Sequence, residues 1–159
     1  KSIRNFIRKW GVLNWDIWNR KNGDIIIPKK YDIGFVVNNC NYKILHLLEP
    51  WCSNIFIEDE NIVLKYINEE QNKTLYDLSK RVHVNKKIFS NKIVIKFDAT
   101  VLNNQKRIVF LQSLSRYLSR NEKIGEVIDD IFILNIKSLE SIKNVDLLPI
   151  HTSSKIKYN

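Results

Sequence analysis

The sequence predicts an α/β domain of three layers, with a mainly parallel, four-stranded Rossmann-like sheet covered on both faces and an N-terminal helical or irregular appendage. Three observations predict it. Short apolar segments of strand length alternate four times with helix-period segments. The first, second and fourth of those strands read as continuous apolar runs, the pattern of strands buried on both sides. Basic and tryptophan residues gather before residue 30, which sets that segment apart.

The appendage comes first. Ile3, Phe6, Ile7 and Trp10 recur at helical spacing, Arg4, Arg8 and Lys9 ring the polar side, and Gly11 stands where a helix would stop. This predicts a short helix docked through its four apolar residues, with the arginines left in water. Trp15 and Trp18 follow in an irregular stretch, Asn22-Gly23 marks a turn, and a boundary is placed near Pro28. Residues 1–30 are therefore read as a basic, Trp-rich segment, residues 31–150 as the α/β domain and residues 151–159 as a tail.

From Tyr31 the elements follow in order. "DIGFVV" predicts a strand near 33–37, and "YKILHLLEPW" carries Ile44, Leu45, Leu47 and Leu48 on one helical face. "NIFIED" predicts a strand near 55–57. A long helix is expected from about Asn61 to Val82, with Val63, Tyr66, Ile67, Leu75, Leu78 and Val82 inward and His83 at its end. "KIVIKFDA" predicts a strand near 93–97. Its alternation of Ile93, Ile95 and Phe97 with Lys92, Val94 and Lys96 suits an edge position. "NQKRIVFLQSLSRYLSR" reads as one helix, "DDIFILNI" as a strand near 131–136, and "SLESIKNV" as a last short helix.

Composition narrows the classes of function. With 44% hydrophobic and 27% charged residues over 159 positions, the chain is an ordinary globular sequence. A single alanine, no methionine and abundant Ile, Asn and Lys reflect a coding bias. No run reaches the roughly 18 to 20 apolar residues of a membrane span, and no signal peptide is evident, so a soluble, cytoplasmic protein with no membrane span is expected. Lys1, without an initiator methionine, is read as the start of a fragment or a processed chain. Cys40 and Cys52 lack paired spacing and are expected to be reduced. Of the net charge of +9, residues 1–30 hold eight basic residues against two acidic ones. Interleaved with Trp10, Trp15 and Trp18, that charge makes single-stranded nucleic acid an alternative partner.

In an open parallel sheet, ligands bind beyond the carboxyl ends of the strands. Asn38, Asn39 and Asn41 after the first strand, Asp59 after the second and Asp98 after the third are the candidate ligand-binding residues. A nucleotide fold would place glycines at Asn38 and Asn39, because backbone amides must approach the phosphates closely. Asn41 instead suits a helix N-cap, and Asn38 or Asn39 tolerates left-handed backbone. Glu58, Asp59 and Glu60 look like an acid-x-acid metal motif, but Asp59 as a cap and Glu60 at a helix start account for them. No histidine pair has metal-ligand spacing and no nucleophile motif is present, so no metal ligand, catalytic residue or cofactor is assigned.

"RNFIRKWG", Arg4 to Gly11, resembles the aromatic-x-x-Lys-Trp-Gly element of inverting family 2 (GT-A type) glycosyltransferases. "YDIGFVVNNCNYKILHLLEPWCSNIFIED" is more loosely similar to regions downstream of the catalytic domain in bacterial surface-polysaccharide glycosyltransferases. The resemblance implies that this chain is a C-terminal, non-catalytic accessory region. Its partners would be an upstream catalytic domain or a glycan acceptor, and Lys9, Trp10 and Gly11 would lie near an acceptor pocket.

Overall fold

The computed structural model describes residues 2–13 and 29–143. Its first element, α1 (Ile3–Trp10), is a helix for local reasons: the Ser2 side chain accepts hydrogen bonds from the Arg4 and Asn5 amides, and Gly11, at φ +76°, ends it by donating to the Ile7 carbonyl. Lys30–Tyr31 forms β1, which pairs antiparallel with β8 (Ser141–Ile142) in a two-stranded ribbon.

The main sheet has six strands: β2 (Ile33–Asn38), β3 (Asn54–Ile57), β4 (Val82–Val84), β5 (Ile93–Asp98), β6 (Gly125–Asp129) and β7 (Phe132–Ile136). Their spatial order is β4-β3-β2-β5-β7-β6. The first four in that order are mutually parallel, and β7 runs antiparallel to both β5 and β6. The chain leaves β2 towards β3 and β4 on one side, then returns to β5 on the other. A topological switch point therefore lies beyond the ends of β2 and β5.

The helices are α1, α2 (Tyr42–Leu48), α3 (Glu60–Glu70), α4 (Gln105–Gln112) and α5 (Leu114–Arg120). Their buried apolar residues, Ile7, Leu45, Leu48, Val63, Tyr66, Leu111, Leu114 and Leu118, all join one core cluster. The strand residues in it are Ile33, Phe35, Val37, Ile55, Ile57, Ile93, Ile95, Phe97, Phe132, Leu134 and Ile136. Since strand side chains alternate between faces, these helices all cover the same face. On the other face the described residues form a small cluster of Val36, Phe56 and Val94, roofed by Phe89. Asn91 pins that roof, donating to Asp32 at 2.6 Å and Asn54 at 2.8 Å, and a Cβ on Gly34 would meet its side chain at 2.5 Å.

The α/β class is thus found, while several expectations are corrected. The three-layer, mainly parallel four-stranded sheet is instead a mixed six-stranded one, with helices on one face among the described residues. The alternation in β5 does not mark an edge: β5 is central, and its even positions face the helix-free side. The helix expected to run to Val82 stops at Glu70, because the Gln71 side chain takes over the backbone partners. Its amide donates to the Thr74 and Tyr76 carbonyls, and its Oε1 accepts from the Leu78 amide. Val82 and His83 then lie in β4. The helix after Asn104 breaks at Ser113, β6 was not anticipated, and Ser141–Ile142 is strand rather than helix. Trp15, Trp18 and the 151–159 tail lie outside the described residues.

The docking surface of α1 overlaps the expected one only at Ile7. Ile3 is 63% exposed and, of the four apolar residues, only Ile7 is buried, whereas Arg8 is 2% exposed. The arginine side faces the domain.

Candidate functional site

The switch point brings three of the candidate residues together. Asn38 ends β2 opposite Asp98 of β5, and Asn39 follows in the left-handed region at φ +55°. That backbone points the Asn39 amide at Glu58 Oε1 (3.0 Å), while its side-chain Nδ2 donates to Asp98 Oδ2 (3.0 Å). The other Asp98 oxygen accepts from the Thr100 amide at 2.8 Å and hydroxyl at 2.7 Å. These Thr100 bonds, with that of Asn39, hold the Asp98 carboxyl below its usual range. The result is an array of two carboxylates bridged by one residue, Asn39, through its backbone amide to Glu58 and its side-chain amide to Asp98.

Asn41 and Asp59 are not part of this array. The Asn41 side chain accepts from the Ile44 amide at 2.8 Å and caps α2; Asp59 Oδ1 accepts from Asn61 and Ile62 and caps α3. Glu58 and Thr100 were missed as site members. With Asp59 committed to its cap, Glu58 is the carboxylate of that loop left to reach Asn39. Among the described residues no group of His, Cys, Asp and Glu side chains is arranged to hold a metal ion. Cys40 and Cys52 are free and buried, and burial pushes both thiols up to about 12, far from thiolate chemistry.

Lys9, Trp10 and Gly11 lie elsewhere. The Lys9 ammonium sits 5.0 Å from the Trp10 ring centre, and Gly11 packs against the Lys30 side chain. Lys30 precedes β2, and α1 packs on the Glu49–Trp51 turn that precedes β3. This group is therefore at the starting ends of the parallel strands, and Asn38, Asn39 and Asp98 are at the finishing ends. Strands of four to six residues separate them by about 13–20 Å.

What fixes α1 there is a buried ionic centre that apolar periodicity gave no sign of. Glu49, fully buried, accepts from Arg8 Nε at 3.0 Å, Arg81 Nε at 2.7 Å and the Tyr66 hydroxyl at 2.7 Å. Arg8 Nη2 also pairs with it, Arg4 donates to Tyr66 Oη, and Arg4 lies 3.8 Å from Glu70. Burial alone would raise the Glu49 carboxyl; Arg81 and Arg8 outweigh it and hold the group down to about 2. Lys30, which donates to the Arg8 carbonyl, is pushed down to about 7 by burial and by the Arg81 charge. Its ammonium thus opposes folding below pH 7, and the cost is relieved as pH rises from 7 towards the ordinary 10.5.

No protein-family model matches this chain, and no curated protein and no solved structure matches it. No described helix is long and apolar enough to cross a membrane.

Proposed function

We propose that this chain is an accessory, non-catalytic module of a glycosyltransferase-like protein of surface-polysaccharide synthesis, and that its strand-end array binds sugar hydroxyls. The observation that carries the reading is the exposed set Asn39, Glu58 and Asp98 at the switch point. Carboxylates accept from hydroxyls, and an asparagine amide both donates and accepts, so neighbouring hydroxyls find complementary partners there. The two carboxylates of the array disfavour a phosphate. The four parallel strands in the order β4-β3-β2-β5 lend the reading a Rossmann-like half-sheet, and the resemblance at Arg4–Gly11 supplies the class.

The test is a nuclear magnetic resonance titration of the chain with neutral mono- and oligosaccharides. Saturable shifts at Asn38–Asn41 and Asp98–Thr100 are expected, weakened about tenfold or more in Asp98→Ala, which loses a charged acceptor. Binding unchanged by Asp98→Ala would sink the assignment. Turnover of a nucleotide sugar, lost in Asp98→Ala or Asp59→Ala, would sink the non-catalytic part. The alternative, nucleic-acid binding, loses Arg4 and Arg8 to Glu49, Tyr66 and Glu70; it would show as affinity falling steeply with salt.

A further inference from the structure

A concave feature lies away from the strand-end array, where α4 gives way to α5. The helix breaks at Ser113, whose amide donates to the Phe110 carbonyl, and a groove of about 400 Å³ opens beside the break. Phe110, Ser113, Arg116, Tyr117, Arg120 and Asn121 line it. From Ser113 onward these residues fall at helical spacings of three and four, on the flank of α5 beside its core residues Leu114 and Leu118. Arg116 and Arg120 of this flank are exposed, whereas Phe110 and Tyr117 are partly buried at the edge of the core. Here Phe110 and Tyr117 form an aromatic wall, with ring centres 5.1 Å apart, and Phe110 is stacked on buried Phe132 at 4.7 Å. The wall is therefore fixed before any ligand arrives.

The arginines are distinguished by what they lack. Six arginines are described. Arg4, Arg8 and Arg81 pair with Glu49 or Glu70, and Arg107 pairs with Asp130. The two with no carboxylate at ion-pair distance among the described residues are Arg116 and Arg120, and they are neighbours, four residues apart on one helix face. Like charges so placed destabilise a helix. A solvated helix C-terminus explains a cation at Arg120, in the last turn, and core packing explains the inner side of the aromatic wall, but neither explains a second arginine one turn away at the wall's open side.

We propose that this groove binds a small phosphorylated compound carrying a planar ring, of the nucleoside-phosphate class. Two guanidinium forks match the oxygens of one phosphate, and a flat ring finds its partner on Phe110 and Tyr117. The volume lies within the range of small-molecule sites. The groove also has a direction. Asp129, the acidic group at the Tyr117 hydroxyl, repels an anion from that end, so the phosphate sits towards Arg116 and Arg120. This site is chemically opposite to the strand-end array, where carboxylates favour a neutral polyol, and the two can fail or succeed separately.

The test is a resonance titration of the isotope-labelled full chain with adenosine monophosphate, with adenosine and inorganic phosphate as separate arms. The monophosphate is expected to shift the Phe110–Asn121 amides saturably, and each half-ligand to do so more weakly. Arg116→Gln and Arg120→Gln should each weaken the monophosphate about tenfold or more, while Lys123→Gln, an exposed cation nearby, changes it less than about twofold. Both arginines are exposed, so the sheet resonances should stay unshifted in the variants and confirm the fold. The proposal is overturned by the absence of saturation up to about 10 mM. It is equally overturned if adenosine alone binds as well as its monophosphate, or if Lys123→Gln costs as much as the arginine changes.

Discussion

Glu49 collects more charge than any other described carboxylate, and its surroundings predict how the protein responds to its loss. Taking one member from a buried ionic group leaves the others desolvated and unpaired, which costs about 3–5 kcal/mol. Glu49→Gln keeps the shape but strands Arg8 and Arg81, so the unfolding free energy measured in urea should fall by that order, with a lower midpoint. The acid limb gives an independent signature. The folded carboxyl sits at about 2 against an ordinary 4.5, so its stabilising contribution is complete above 4.5 and is lost as pH falls towards 2. Glu49→Gln should lack this component of acid unfolding. An unchanged acid limb would mean that the carboxylate does not hold the arginines.

At the scale of elements, α1 is a helix of eight residues, too short to persist alone in water, so its order depends on what it docks against. The buried face carries Ile7 and Arg8, whereas Trp10 is half-exposed. Arg8→Ala should therefore loosen α1, seen as faster amide exchange over Ile3–Trp10, and Trp10→Ala should do so far less. The opposite ranking would restore docking through the apolar stripe. The stripe was legible in the sequence; its orientation was not, because periodicity assigns arginine to water and has no means of seeing a carboxylate 41 residues away. The same blindness explains α3. Leu75, Leu78 and Val82 continue its spacing, yet one glutamine side chain at Gln71 redirects the backbone before they are reached. Caps, by contrast, are local, and Gly11, Asn41 and Asp59 were read correctly for that reason. In the strand-end site, Asn38, Asn39 and Asp98 were legible as strand ends, while the choice of Glu58 over Asp59 required the loop geometry.

For the molecule as a whole, the described helices load one face of the sheet and leave the other thinly covered. Adjacent residues of β7 test this. Leu134, fully buried on the helical face, should cost about 2–5 kcal/mol when changed to Ala. Ile133, 40% exposed on the opposite face, should cost less than about 1 kcal/mol when changed to Thr. Comparable losses in thermal or urea unfolding would mean that both faces are packed alike. Apolar runs such as "DIGFVV" suggested two covered faces because a small cluster roofed by Phe89 buries Val36, Val94 and Phe56 without any helix.

The ionic centre also has a consequence in time. Glu49 meets Arg8 only by closing a loop of 41 residues and Arg81 only by closing one of 32. Such non-local closures cost chain entropy before the contacts they make can offset it. Until both close, the carboxylate keeps its water and the Glu49–Trp51 turn stays unburied. Both closures draw on the same carboxylate, so loss of Glu49 is expected to speed the release of Arg8 and Arg81 together on unfolding.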